Sequence, residues 1–248
     1  MRAARQPTIL ERGAGAAGCK PAIANARLTR SARLCLNPGC QPQCPMPISP
    51  PSSPGLRSPS SDAARPAQAS PWVMRFAPLL RAHAQVLDLA CGSGRNARAL
   101  AALGHRVLAV DRDDSALREL RDLPGVEVLA ADLEAAPWPL DERRFDAVVV
   151  TNYLWRPLLP RIVHAVDSRG VLLYETFALA QQAIGRPRNP QFLLRPGELL
   201  DAVRPELRVV AYEDGFVASP HPAFVQRICA VREPDAGAGD SQPPKYNL

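Results

Sequence analysis

An α/β domain on a mostly parallel sheet is the fold class this sequence predicts, and three observations predict it. Between residues 72 and 177, short and almost wholly apolar runs alternate with segments of helical spacing, as strands covered on both faces require. The first run leads into a glycine-rich turn that opens a helix. The last two apolar runs follow each other with no helix between them, which makes an antiparallel hairpin at one sheet edge.

Taken in order, "WVMRFAPLLRAH" (72–83) has helical spacing, with Trp72, Phe76, Leu79 and Leu80 on one face. "VLDLA" is a short buried strand, and "RNARALAALG" is a helix closed by Gly104. "RVLAVD" (106–111) is the second strand. "DDSALRELRDL" is a helix with Asp113 or Asp114 as N-cap, and "VEVLAAD" (126–132) is the third strand. "FDAVVVTN" (145–152) is the fourth, "PLLPRIVHAV" a helix and "GVLLYETF" (170–177) the fifth. "LRVVAYEDGFV" and "AFVQRICAVRE" form the closing hairpin around "ASPHP". No internal repeat is visible.

Residues 1–70 are rich in Pro, Ser, Arg and Gly and are expected to be disordered, because they cannot bury enough apolar area to offset the ordering entropy. Residues 71–232 form the folded domain, and 233–248 a second polar tail. The formal charge of +6 is unevenly spread: residues 1–70 hold nine basic residues against two acids, so the rest carries −1. A near-neutral domain offers no basic groove for nucleic acid. No run approaches 18 apolar residues, and the arginine-rich start lacks the apolar stretch of a secretory signal. Of six cysteines, Cys19, Cys35, Cys40 and Cys44 have neither zinc nor disulfide-scaffold spacing. Cys91 and Cys229 lie in strand-like runs, where cysteine acts as a small hydrophobe. A reduced, cytoplasmic protein without a metal site is the expectation.

The chemistry concentrates in "VLDLACGSGRNARAL" (86–100). Gly92, Gly94 and Ala97 spell G-x-G-x-x-A, with Asp111 ending the second strand, which is the dinucleotide fingerprint. An NAD(P)-dependent oxidoreductase is therefore one rival reading. Against it, Asp88 sits within the first strand and Asp132 ends the third, and added carboxylates repel a pyrophosphate. A carboxylate inside an apolar run also needs a partner. Acids at the carboxyl ends of parallel strands suit a ligand that is cationic and free of phosphate.

In order and spacing, "VLDLACGSGRNA", "VLAVDRD", "AADLE" and "FDAVVVTNYLWR" resemble the class I S-adenosylmethionine-dependent methyltransferases. The "CGSGRN" turn is similar to that of bacterial tellurite-resistance and thiopurine-type enzymes. The resemblance spans roughly residues 72–232 and implies a Rossmann-like three-layer sandwich, with a seven-stranded, mostly parallel sheet and an antiparallel C-terminal hairpin. It implies S-adenosyl-L-methionine as cofactor. Asp88 would hold the ammonium end through water, and the backbone of Ala90, Cys91, Gly92 and Gly94 would pack the methionyl part. Asp111, with Arg112 beside it, would accept the ribose hydroxyls. Asp132 would take the adenine amine with Leu133 against the ring, and Asn152 would line the sulfonium side. Tyr153 and Trp155 would face the acceptor as the catalytic pair.

Methyl transfer from a sulfonium is an in-line displacement, so holding the nucleophile in line is the main task. "TNYLW" lacks the Asn or Asp followed by Pro-Pro and an aromatic of amino-nitrogen methyltransferases, and no cysteine is placed as a covalent nucleophile. The segment 177–200 reads as a lid whose Arg186, Arg188 and Arg195 either meet an anionic acceptor or are solvated. Glu175 and His221 are spare bases. A small-molecule acceptor is expected, and the oligomeric state is open. A catalytically silent cofactor-binding partner subunit is the alternative from a different class.

Overall fold

A computed structural model describes residues 68–234 and 245–246 of the protein. The chain divides into Met1–Pro59 and Ser60–Leu248, and every described residue belongs to the second unit. The expectations for 1–67, 235–244 and 247–248 fall outside the described residues.

Seven strands, β1 (Gln85–Leu89), β2 (Arg106–Asp111), β3 (Val126–Ala130), β4 (Phe145–Thr151), β5 (Val166–Phe177), β6 (Arg208–Val217) and β7 (Ala223–Val231), form one sheet in the order β3-β2-β1-β4-β5-β7-β6. The first five pair in parallel; β7 is antiparallel to both β5 and β6. The strand order reverses between β1 and β4. An open sheet of this kind forms its ligand crevice at that reversal, outside the carboxyl ends of the strands.

Burial follows position in the sheet. Central β4 is buried at every residue, whereas edge strand β3 is only half covered. Successive side chains take opposite faces. Leu87, Leu89, Val148, Val150, Leu172 and Tyr174 join α4 (Leu159–His164) and α5 (Glu198–Val203) in one apolar layer. Val86, Ala147, Val149, Leu173 and Cys229 join α1 (Pro71–Phe76) and α2 (Arg95–Ala102) in the other. Each fully buried Leu or Phe among them contributes about 1.5–3 kcal/mol by leaving water.

The helices are shorter than the periodicity predicts. The first tightens into a 3₁₀ turn at Ala77–Leu79, where Pro78 supplies no N–H donor, and α3 (Asp114–Leu117) passes into another at Arg118–Leu120. Asp113 is the N-cap of α3, accepting from the Ser115 and Ala116 N–H groups. Gly104, just beyond α2, is left-handed at φ +87°, as a helix-terminating glycine should be. Ser70, placed by composition in the N-terminal extension, is fully buried. Its hydroxyl caps α1 by accepting from the N–H groups of Trp72 and Val73. At the other end Glu233 pairs with Arg208 at 2.7 Å, and the Tyr246 ring lies under the same guanidinium. Both belong to the segment expected to be a tail.

Candidate active site

The glycine turn follows β1 at the strand-order reversal. Ala90 leaves the strand in a left-handed conformation (φ +51°), as Asn152 does after β4 (φ +57°). For Ala90 this costs on the order of 1–2 kcal/mol, so the surrounding structure holds that strand end in a strained turn, whereas asparagine adopts the same conformation readily. The Cys91 N–H donates to the Val110 carbonyl at 3.1 Å, and the Gly92 N–H to Asp111 Oδ2 at 2.7 Å. Asp111 Oδ1 accepts from the Asp113 N–H at 2.9 Å. One carboxylate thus ties the turn to the end of β2 and the start of α3, and its remaining lone pairs stay available.

Asp88 lies beneath this turn, fully buried, and neither carboxylate oxygen has a hydrogen-bond partner. Burial pushes its pKa up to about 7, while the nearby Ala97 N–H, short of hydrogen-bond geometry, and the Arg95 charge pull it back. Asp132 stands two residues past the end of β3. Its Oδ1 accepts from the Glu134 and Ala135 N–H groups, which hold its pKa below the ordinary value.

Two clefts of about 150 Å³ each open here. Ala90, Asp111, Arg112, Asp132, Leu133 and Tyr153 line the first, with Ala131 and Glu134. Asn152, Arg95, Glu175, Phe177, His221 and Arg227 line the second, whose further walls include Pro71 and Val225. Consecutive residues Asn152 and Tyr153 therefore serve different clefts, and only the fold shows this. Asp88 lines neither, being sealed under the turn, and any contact from it passes through an intermediary such as water. Cys91 turns its side chain into the apolar layer of α1 and α2, leaving only its backbone at the turn; burial, then the Asp88 and Asp111 charges, push its thiol up.

The two expected catalytic aromatics part company. Tyr153 sits beside Asp111 and Asp132 with its hydroxyl buried and unpartnered, its pKa raised by burial and then by Glu134 and Asp132. Its carbonyl accepts from the Tyr174 hydroxyl at 2.9 Å. Trp155 lines neither cleft: it packs half-buried on the α4 layer, because the chain has already turned into the Arg156–Leu158 3₁₀ helix. The lid arginines Arg186, Arg188 and Arg195 are exposed and line neither cleft. Arg156, which the sequence did not single out, holds that segment: it donates to both Glu198 carboxylate oxygens (2.6 and 2.9 Å) and to the Gln191 and Leu193 carbonyls.

The second cleft rests on a polar chain of which the sequence singled out only Glu175. Asn96 donates to Thr151 Oγ1 at 3.0 Å and accepts from the Ser70 N–H at 2.9 Å. The Ser70 hydroxyl donates to Glu175 at 2.6 Å, and Arg227 pairs with Glu175 at 3.5 Å. The signal was present, since an acid and an arginine each interrupt an apolar strand and need partners there. His105 is buried, its Nδ1 accepting from the Ala84 N–H; of the four histidines only His221 reaches a cleft. Among the described residues no group of three or more His, Cys, Asp or Glu is placed to hold a metal ion, and no helix is long and apolar enough to cross a membrane.

Residues 86–168 match the family described as "Methyltransferase domain". A "probable S-adenosylmethionine-dependent methyltransferase" of Mycobacterium tuberculosis is 39% identical over 85 residues, a match spanning 33% of this chain and 30% of that protein. The solved structure of TehB from Haemophilus influenzae aligns at a TM-score of 0.53 and 20% identity, covering 65% of this chain and 61% of the other. A SAM-dependent methyltransferase from Methanosarcina mazei aligns at 0.52 and 14% identity, covering 67% and 99%. Residues 86–168 thus match a methyltransferase domain, and the chain resembles TehB in fold, sharing the class I S-adenosylmethionine-dependent methyltransferase fold of the solved structures that align with it.

Proposed function

We propose that the protein is an S-adenosylmethionine-dependent methyltransferase acting on a small-molecule acceptor by in-line displacement. The observation that carries this reading is the acid set at the glycine turn: Asp111 and Asp132 face one cleft, and the unpartnered oxygens of Asp88 lie under its rim. A buried carboxylate with no partner fits a ligand that brings a positive charge. Asp111 and Asp132 facing the first cleft as acceptors, beside the backbone of the turn, suit the hydroxyl and amine donors of a nucleoside.

When bound, S-adenosylmethionine supplies a methyl group already activated on a sulfonium. Asp111 takes the ribose hydroxyls with its free lone pairs, with Arg112 at its side. Asp132 receives the adenine amine on the oxygen its own turn leaves unused, with Leu133 and Tyr153 along the ring. Ala90, Cys91, Gly92 and Gly94 pack the methionyl part through backbone, Asp88 holds the ammonium through water, and Asn152 leads toward the second cleft.

That second cleft receives the acceptor. Its volume is about 150 Å³, and a near-neutral domain without a basic groove favours a small molecule over nucleic acid. Phe177, Val217 and Val225 give it apolar walls, and its task is to present the nucleophile in line and exclude water. Glu175 already serves Ser70 and Arg227, so exposed His221 is the group able to take a proton where the acceptor must lose one. The two described cysteines, buried and unpaired, favour a reducing compartment such as the cytoplasm.

The test has two parts. Calorimetry is expected to show S-adenosylhomocysteine binding and NADH not binding; the reverse would restore the oxidoreductase reading. Labelled methyl from S-adenosylmethionine should then appear in the small-molecule fraction of a cell extract. Label in no fraction, with the nucleoside still bound, would indicate a silent binding subunit.

A further inference from the structure

Strand β6 ends the sheet, with β7 alone beside it among the described residues, and each of its ten residues is exposed or half-buried. Such an edge offers a row of unpaired N–H and C=O groups to which another strand can add, so folded proteins guard long edges with charges, bulges or a covering group. From Glu213 onward β6 carries its own guards. Glu213 and Asp214 are charged, Gly215 follows, and Glu213 pairs with Arg75 of α1 at 3.1 Å. The stretch before them has less: "VVAY" (209–212) holds neither charge nor proline and has high strand propensity. Its own device is the register shift against β7 between Val209 and Ala211. Val209 and Tyr212 pack into the layer of α4 and α5, and Val210 and Ala211 into that of α1 and α2.

The covering group is Tyr246. Its ring packs half-buried against the layer of α1 and α2, with the Arg208 guanidinium 5.5 Å from the ring centroid, and Glu233 holds that guanidinium in turn at 2.7 Å. Burial raises the pKa of its hydroxyl, and Glu233 and the Cys229 thiol, which faces Ala211 across the ladder, add to the rise. The ring therefore sits at the head of the weakly guarded stretch, on the face that α5 does not cover. We propose that Tyr246 is a guard on β6: seated there, it keeps a second copy of the chain from adding its own β6 to the open edge. Two such strands would meet antiparallel about a two-fold axis, so the same stretch would be used on both sides. Arg208 and Glu213 bracket that stretch with opposite charges, and an antiparallel copy brings each beside its opposite. The stretch is thus complementary to itself, which makes a second copy the partner that has to be kept out. This role is independent of the methyl-transfer reading.

The experiment is sedimentation velocity across a dilution series, run on the full chain, on Tyr246→Ala, on Tyr246→Phe and on Tyr246→Ala combined with Val210→Lys, with thermal melting as a check of folding. The full chain and Tyr246→Phe, which keeps the ring, are expected to sediment at a rate that does not change with concentration. Tyr246→Ala is expected to shift toward the mass of two chains as concentration rises, and ending the chain at residue 244 should do the same. Val210→Lys should reverse the shift, because a charge on the edge blocks strand addition without restoring the ring. Tyr246→Ala sedimenting like the full chain at every concentration would overturn the proposal. Association that Val210→Lys leaves in place would also overturn it, because the contact would then run through another surface. A full chain that pairs as strongly as Tyr246→Ala would do so as well, since nothing would then be guarded.

Discussion

Glu175 on β5 and Arg227 on β7 are direct partners across the antiparallel ladder, with Arg227 Nε 3.5 Å from Glu175 Oε2 and both side chains less than 15% exposed. The pair balances the two charges, while Arg227 Nε itself makes no hydrogen bond and Glu175 takes one from the Ser70 hydroxyl. Arg227→Met strands a buried carboxylate and is expected to cost about 3 kcal/mol, read as a lowered urea midpoint. Glu175→Gln should cost a similar amount. The double variant should lose well under the sum, because removing both charges leaves neither stranded. Strict additivity would show that the pair is not coupled.

Ser70 joins this pair to α1. Its hydroxyl accepts from two N–H groups of the first turn and donates to Glu175 at 2.6 Å. Ser70→Ala removes the cap and leaves the carboxylate short of a donor, at about 2 kcal/mol. Starting the chain at residue 68 should leave the melting temperature unchanged, whereas starting it at residue 71 should lower it by several degrees. Equal melting of the two truncations would deny the serine this role.

These residues also mark where the sequence stops being legible. The strands could be read because parallel strands are continuous apolar runs, and β2 falls at Arg106–Asp111 as its pattern predicts. Asp88, Asp111 and Asp132 could be read because each acid interrupts or ends such a run. Ser70 could not, because a Ser beside Pro and Ala in a polar stretch looks the same whether it caps a helix or lies in solvent. Glu175 and Arg227 form a pair only once β7 lies beside β5, and Arg156 finds its carbonyls only once the 179–198 segment has folded over it. Neither relation has a local period. The split of Asn152 and Tyr153 between two clefts depends on the left-handed turn at Asn152, which an asparagine permits without announcing it.

Asp111 is placed to do two things at once, tethering the Gly92 N–H and facing the first cleft. Asp111→Ala is expected to weaken S-adenosylhomocysteine by about 1–3 kcal/mol through the lost charge-assisted bonds. It should weaken 5′-methylthioadenosine equally, because the ribose is common to the two nucleosides. Calorimetry showing no change in either would remove Asp111 from the site.

The two glycines of the turn should fail differently on substitution. A Cβ on Gly94 would overlap the side chain of Leu120, which is fully buried, whereas one on Gly92 would meet open space. Both positions are left-handed, so each alanine carries a backbone penalty of about 1 kcal/mol. Gly94→Ala adds overpacking of about 1–3 kcal/mol and should lower the urea midpoint well beyond Gly92→Ala. The reverse order would contradict the packing of α2 on Leu120.

Asp88 makes stability depend on pH in a direction opposite to that of an ion-paired acid. Its folded pKa of about 7 lies above its ordinary value of 3.8, so between those limits the folded protein holds a proton that the unfolded chain has released. The stabilisation is complete below about pH 4 and is lost as pH rises through 7, at up to about 1.4 kcal/mol per unit. Asp88→Asn keeps the shape without the charge and should abolish this component: near-equal to the unaltered protein at about pH 3, already more stable than it at pH 5, and most so at pH 8. Binding should add a second signature. A ligand ammonium brought near the acid draws it toward the ionised form, so S-adenosylhomocysteine binding at pH 6 should release a proton. The apparent binding enthalpy would then vary with the ionisation enthalpy of the buffer in the unaltered protein and less so in Asp88→Asn. Identical buffer dependence in both would mean that Asp88 does not sense the ligand.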